Sequence, residues 1–417
     1  MFRGKTVHLA LSLVFYLSVT VFGQWSAANS GTTNNLNGVY LLDSGIAFVV
    51  GDAGTILKST DAGAIWTPLL SGTTNILHAV YFFDGNQGIA VGDQGLILRT
   101  TDGGAMWQSV PSGVEDALRS VFFSGANGIS GGDSQTILYS TDSGASWQIS
   151  QSGFFGGGFA GAHMLSPSIG FVAGQNSIFQ PLVGATTDGG ASWEFHAFYF
   201  DKNEGGSTDV RFLDVNTGVV SGFVFDGRGA LARTTDGGTN WSTLFFDQPI
   251  EGLDFPVTNT TNIGFAVGWG GRILHTTNMG IAWTDQTSGT PANLNDVSFA
   301  NDALRGIAVG DSGIILWTAN GGGPAPTPTP PPTASPTPST TPTVTPIVTP
   351  RPTPTPRPRP TPSTNKLHSV CIPPLTCHPP ILPARSVFIY ERLNQIEEGS
   401  YGALAIHKPE TSSRSRS

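Results

Sequence analysis

The octamer "TTDGGASW" occupies Thr186–Trp193. Close copies stand at Ser59–Trp66 ("STDAGAIW"), Thr100–Trp107 ("TTDGGAMW"), Ser140–Trp147 ("STDSGASW") and Thr234–Trp241 ("TTDGGTNW"). A worn copy, "TTNMGIAW", ends at Trp283. The residue types explain one another. Glycine after the aspartate tolerates positive φ, so the chain can turn sharply there. The aspartate carboxylate and the leading Ser/Thr hydroxyl can accept backbone N–H bonds within that turn. The tryptophan then opens the next strand and brings a large apolar ring with one satisfiable N–H. Asp61, Asp102, Asp142, Asp188, Asp236 and Asn278, with Trp66, Trp107, Trp147, Trp193, Trp241 and Trp283, are therefore read as hairpin staples and not as a site used many times.

The octamers set a period. From Trp25 the tryptophans follow at intervals of 41, 41, 40, 46, 48 and 42 residues. A seventh unit runs from Trp283 to "TANGGG" at Thr318–Gly323, where the next tryptophan is missing. The unit after Trp66 shows the plan: "WTPLL", "ILHAVYFF", "GIAVGD" and "LILRTT" read as short strands, separated by Gly/Asp/Asn turns. Helical periodicity is absent. Seven four-stranded units, none able to bury both its faces alone, predict an all-β, seven-bladed β-propeller over residues 24–323. "QWSAA" at Gln24–Ala28 has the sequence of an outermost strand. It is expected to complete the last blade and so remove the exposed edges.

The pattern S/T-x-D-x-G-x-x-W is the Asp-box, or BNR repeat, of sialidases, sortilin-type receptors, some endoglucanases and the photosystem II stability/assembly factors. The rest of each unit resembles the last of these. The stretch "SGTTNILHAVYFFDGNQGIAVGDQGLILRTTDGGAMW" carries the likeness, with "SGT" after the tryptophan and then "AVGDQGLIL". The resemblance covers residues 25–320. It implies a propeller whose Asp-boxes lie at the periphery, away from the ligand face. It also implies a protein-binding or assembly role.

The flanks place the protein. Arg3 and Lys5, an apolar run from Val7 to Phe22 and small residues before Gln24 read as a signal peptide over residues 1–23. A membrane anchor is the alternative, although the run is short for a span of ~20 residues. Residues 324–365 form a Pro/Thr-rich linker that could extend ~130 Å at ~3.1 Å per residue. Residues 366–417 are a short basic tail, read as disordered, a truncated domain or a cell-envelope tether. Cys371 and Cys377, both in this tail, could form one disulfide in an oxidising compartment. The expected location is extracellular, periplasmic or in the cell envelope.

Charge narrows the partners. Residues 24–323 hold nine Lys and Arg against 25 Asp and Glu, a net charge of −16. Nucleic acid is excluded, because its phosphates require a basic surface. Neutral or basic partners remain, either protein or polysaccharide. A photosystem partner met through a basic patch is disfavoured, since Arg99, Arg233 and Arg272 make no convincing cluster. No metal or cofactor is expected: His78, His163, His196 and His275 lack ligand spacing, and no nucleotide-binding fingerprint occurs. The Arg-Ile-Pro signature of sialidases is absent. A glycosidase needs only two suitably spaced carboxylates, so the chemistry of the acids stays open.

Alternation of turns puts the Asp-boxes and the "DGNQ" turns on one face. The "SGTTN" loops and "GDxG" turns fall on the other. There Asp52, Asp93, Asp133 and Asp311 recur, either as an acidic ring at the channel mouth or as plain turn initiators. The longer units add "GFFGGGFAGAHM", "FHAFYFDKNEGG" and "LFFDQPIEGLDF". Phe154, Phe155, Phe159, Phe198, Tyr199, Phe200, Phe245 and Phe246 are expected there, as an apolar binding patch or as packing between wider blades. The resulting reading is an exported, non-catalytic propeller that binds or scaffolds. The alternative is a secreted glycan-active enzyme or glycan-binding protein of the sialidase or endoglucanase Asp-box type.

Overall fold

A computed structural model describes residues 25–151, 156–201, 204–256 and 262–323. The expected signal peptide, linker and tail lie outside the described residues, as do Cys371, Cys377, Phe154 and Phe155. The described residues form seven four-stranded antiparallel sheets, the blades of a propeller. In blade 1 the strands are Leu36–Leu41, Ala47–Gly51, Ile56–Ser59 and Thr67–Leu69, from the channel outward. The second strand is buried along its length, because it lies between two other strands and beneath both neighbouring blades. Its run of small and β-branched residues suits that position.

The N-terminal strand closes the ring. Ser26–Ala28 pairs antiparallel with Ile315–Thr318, matching Ser26 to Trp317 and Ala28 to Ile315. Blade 7 is therefore built from both ends of the domain, as the missing tryptophan predicts. Trp25 takes that tryptophan's place. Its ring meets Phe299 edge-on at 5.8 Å, and its Nε1 donates to Gln286 Oε1 at 2.9 Å.

Each box tryptophan lies in the seam with the preceding blade. Trp66 packs on Ile307 and Val309 of blade 7. Trp107 covers Phe48 and Phe82, whose rings stack across the first seam at 3.4 Å. Trp147, Trp193, Trp241 and Trp283 repeat the arrangement. The core is thus seven wedges between blades and not one central mass, because the channel is left to the inner strands.

The Asp-box does what its residue types require. In blade 2 the Thr100 hydroxyl donates to Asp102 Oδ1 at 2.9 Å and accepts from Gly104 N at 2.9 Å, while Met106 N donates to Asp102 Oδ1 at 2.9 Å. The same bonds recur at Asp61, Asp142, Asp188, Asp236 and Asn278. These bonds lower the carboxylate pKa values, that of Asp188 to about 2, led by its hydrogen bond from Ser192. Each box is also tied to the first turn of its blade, as by Gly103 N to Asn86 O at 2.8 Å. This confirms that the two turn types share a face. Asp102→Ala is expected to lower the melting temperature by a few degrees without altering ligand binding, measured by calorimetry and titration.

Candidate functional site: the channel and its loop face

All seven inner strands carry a register shift within their first few residues. In blade 1 it falls between Leu36 and Gly38, in blade 2 between Leu77 and Ala79. The other five blades repeat it. A bulge re-aims the side chain it skips. The skipped residues are Asn37, His78, Arg119, Ala160, Thr208, Glu251 and Asn295, and all line one central cavity of about 650 Å³. The sequence gives little hint of this ring, since a bulge leaves no gap in the repeat.

The aspartates of the "GDxG" turns hold this ring. Asn37 Nδ2 donates to Asp52 Oδ1 at 3.0 Å, and Asn295 Nδ2 to Asp311 Oδ1 at 3.2 Å. His78 Nε2 lies 2.7 Å from Asp93 Oδ1. Arg119 makes a two-point bond to Asp133 at 2.9 and 2.7 Å. Asp52, Asp93, Asp133 and Asp311 are therefore not a bare acidic ring. Each is spent on the bulge residue of its own blade. The bulge residues also stitch blades together, as by Asn37 Nδ2 to Leu77 O at 3.0 Å and Asn295 Nδ2 to Leu36 O at 3.0 Å.

Deeper in the channel lies a charged group. Arg211 Nη1 donates to Asp209 Oδ1 at 2.8 Å, and Asp254 lies 4.0 Å from its Nε. Asp296 adds a third carboxylate. Burial pushes Asp254 up to about 6 and Asp296 up to about 7, with Arg211 only partly offsetting it. Burial likewise drives His163 down to about 3, so its imidazole is neutral. Each carboxylate nonetheless has backbone work. Asp209 accepts from Leu253 N at 3.0 Å, Asp254 from Phe299 N at 2.6 Å, and Asp296 from Val39 N at 2.8 Å. These N–H groups sit on the open edge of the next blade's inner strand. The carboxylates satisfy donors that no fifth strand reaches. Among the described residues, no three His, Cys, Asp or Glu side chains are placed to share a metal ion.

The aromatic residues divide sharply. Phe159 is fully buried, stacked on Phe195 in the seam between blades 3 and 4. It is the first residue of the inner-strand pattern, equivalent to Leu36, and cannot join a surface patch. Phe200 is buried against Phe198, which in turn stacks on Trp241 at 4.8 Å. Phe246 packs beside Trp283 and under Arg272. These four rings pack between blades. Tyr199 remains 49% exposed, and Phe245 is exposed beneath Arg228, whose guanidinium lies 4.3 Å from the ring centroid.

Three exposed aromatics stand where no insertion points. Phe179, Phe225 and Trp269 occupy the second-to-third-strand turns of blades 4, 5 and 6, at 44%, 55% and 44% exposure. Those are the three blades whose turns lack the "GDxG" aspartate. "NSIFQ", "FDGRG" and "WGGR" replace it. The loop face thus has a polar half on blades 7, 1, 2 and 3 and an aromatic half on blades 4 to 6. The arginines before the boxes lie on the other face and form no patch. Arg99 donates to Ser143 O and Arg233 to Met279 O, both on the adjacent blade's Asp-box. Arg272 lies at the opposite end of its strand, bonded to Asp247 at 2.5 Å.

Residues 66–152 match the family PSII_BNR, described as photosynthesis system II assembly factor YCF48. A 92-residue segment is 31% identical to a photosystem II assembly lipoprotein Ycf48 of Synechococcus sp. (strain CC9902). That match spans 22% of this chain and a quarter of the relative's length. Among solved structures, one described as YCF48 bound to D1 peptide is 21% identical, with a TM-score of 0.57 over 72% of this chain and 98% of that one. YCF48 from Cyanidioschyzon merolae is 16% identical, with a TM-score of 0.55 over 71% of this chain and 98% of that one. A GH74 xyloglucanase from Xanthomonas campestris is 14% identical, with a TM-score of 0.56 over 73% of this chain but 55% of its own. The structural likenesses establish the propeller fold.

Proposed function

We propose that this photosystem II assembly factor-like Asp-box propeller is an exported, non-catalytic protein-binding module that holds a polypeptide partner on its loop face. The observation that carries the reading is the set of exposed aromatics on one half of that face. Phe179 and Phe225 touch across two blades, and a contiguous exposed apolar patch of this kind marks an interaction site. The channel supports the non-catalytic part. Asp209, Asp254 and Asp296 each bind a backbone N–H of the next blade. A carboxylate committed in this way is poorly placed to exchange protons with a substrate. The Ycf48 relative is called a lipoprotein and a YCF48 structure holds a D1 peptide. The first agrees with a place in the cell envelope and the second with a polypeptide partner. The apolar run Val7–Phe22 supports export.

Affinity capture tests the reading. The full mature chain is immobilised and exposed to envelope and secreted fractions of its source, and bound material is eluted with salt. One discrete protein, lost when Tyr199 is changed to Ser, is the expected result. Recovery of polysaccharide shortened on the column would replace the reading with a glycan-active enzyme.

A further inference from the structure

Phe179 adopts a backbone conformation that phenylalanine avoids. Its turn begins with Asn176 N donating to Gln180 O, and Phe179 stands fourth with φ at 58°. The equivalent places are Gly54, Gly95, Gly227, Gly271 and Gly313, all left-handed, and Gln135 in blade 3. Glycine fills this place in five blades because the left-handed region suits it. Blade 4 instead puts a large apolar ring there and leaves it 44% exposed. A bulky left-handed residue whose ring stays this exposed is a candidate functional position. Phe179 meets Phe225 of the next blade edge-on at 5.3 Å. Gln180 is hydrogen-bonded to the Tyr199 hydroxyl, which draws that ring to the same turn.

Charge identifies the occupant. Trp269 donates its Nε1 to Glu251 Oε1 at 2.7 Å at the cavity rim. Glu251 is the one acidic member of the bulge ring, and among the described residues no basic side chain pairs with it. The nearby arginines are already engaged: Arg228 with Asp201 and Asp226, Arg272 with Asp247. Burial and the Asp311 charge raise the Glu251 pKa, as expected of a carboxylate lacking a counter-charge. An exposed indole beside an unpaired carboxylate is a receptor for a guanidinium or ammonium group. Phe179 and Phe225 bring no hydrogen-bond donors, so they suit apolar side chains better than hydroxyl-rich sugars.

We propose that the turns of blades 4 to 6 form a docking surface for an extended cationic polypeptide segment. Its basic side chain sits on Trp269 and pairs with Glu251, and its apolar side chains cover Phe225 and Phe179. The proposal rests on the protein-binding reading and gives its partner a chemistry.

The test uses the full mature chain and an acetylated twelve-residue peptide of repeated Arg-Leu-Thr, followed by Trp fluorescence and calorimetry. The same peptide with Glu for Arg and a cello-oligosaccharide serve as competitors for the assignment. Binding of the Arg peptide is expected, at least tenfold tighter than the Glu peptide. W269A, E251Q and F179G are each expected to weaken it at least tenfold. F179G relieves a left-handed residue, so its melting temperature is expected to be unchanged or higher, which separates binding from packing. The proposal falls if the Arg peptide does not bind, if charge reversal makes no difference, or if F179G and W269A bind it normally. It falls equally if the oligosaccharide is what binds at Trp269. A partner captured from envelope fractions despite such a failure would leave the protein-binding reading intact.

Discussion

Trp25→Ala is expected to lower the unfolding free energy by about 3–5 kcal/mol, the usual cost of removing a buried aromatic ring. Trp25 is 7% exposed and packs on Phe299 within the seam between blades 6 and 7. Phe299 stacks on Phe265 at 3.5 Å, so the lost ring would leave a stacked pair open on one side. The indole N–H also orders Gln286, whose Nε2 donates to Gly321 O at 2.8 Å in the tryptophan-less seventh box. One residue therefore joins the closing strand, blade 6 and the last box. Urea unfolding of the variant beside the parent measures the effect. A loss below about 1 kcal/mol would mean that the ring does not depend on this closure.

The second large effect is on pH. Asp254 and Asp296 have pKa values of about 6 and about 7 in the fold. Both lie above the unfolded value, so the folded state binds more protons across this range. Their contribution favours the fold at low pH and is lost as pH rises from about 4 to 7. For Asp296 alone a rise from 3.8 to about 7 is on the order of 4 kcal/mol at full burial, and partial solvent access reduces it. The groups facing it are Asp209 and Arg211, with Asp254 next to Arg211. The Asp-box carboxylates act in the opposite sense. Asp188, near 2, stabilises above the unfolded value and stops doing so as pH falls toward 2. Stability is therefore expected to peak between about pH 4 and 6 and to decline by pH 8. Asp296→Asn should flatten the decline, at the loss of one of the bonds from Val39 N and Val297 N. Melting curves across pH for both proteins check it. A parent curve that climbs steadily from pH 5 to 8 would contradict the account.

The ring, the blade count and the closing strand are legible in the octamer because its roles are local. Asp188 and Gly190 act within one hairpin, so their pattern survives in any blade. The assignment of turns to two faces follows from strand alternation and needs no packing. The site is harder to read. Phe159 and Phe200 look like loop aromatics by composition, but the inner-strand register and the Trp241 seam bury them. Bulge residues such as Glu251 and Arg119 carry no repeat signature, since a skipped residue depends on how the strand pairs. Insertion length points to residues 153–164 and 195–206. The exposed rings of Phe179, Phe225 and Trp269 instead arise inside turns of nearly constant length, and the visible signal is the loss of the "GDxG" aspartate.

Site-specific photo-crosslinking reads which face of the propeller meets a partner. A benzophenone side chain replaces Phe225 on the loop face in one variant and Met106, an exposed Asp-box residue, in another. Each full-length protein is irradiated with envelope fractions of its source. The account predicts one discrete protein adduct from position 225 and none from position 106. Equal labelling from both positions, or an adduct from the Asp-box face alone, would contradict it.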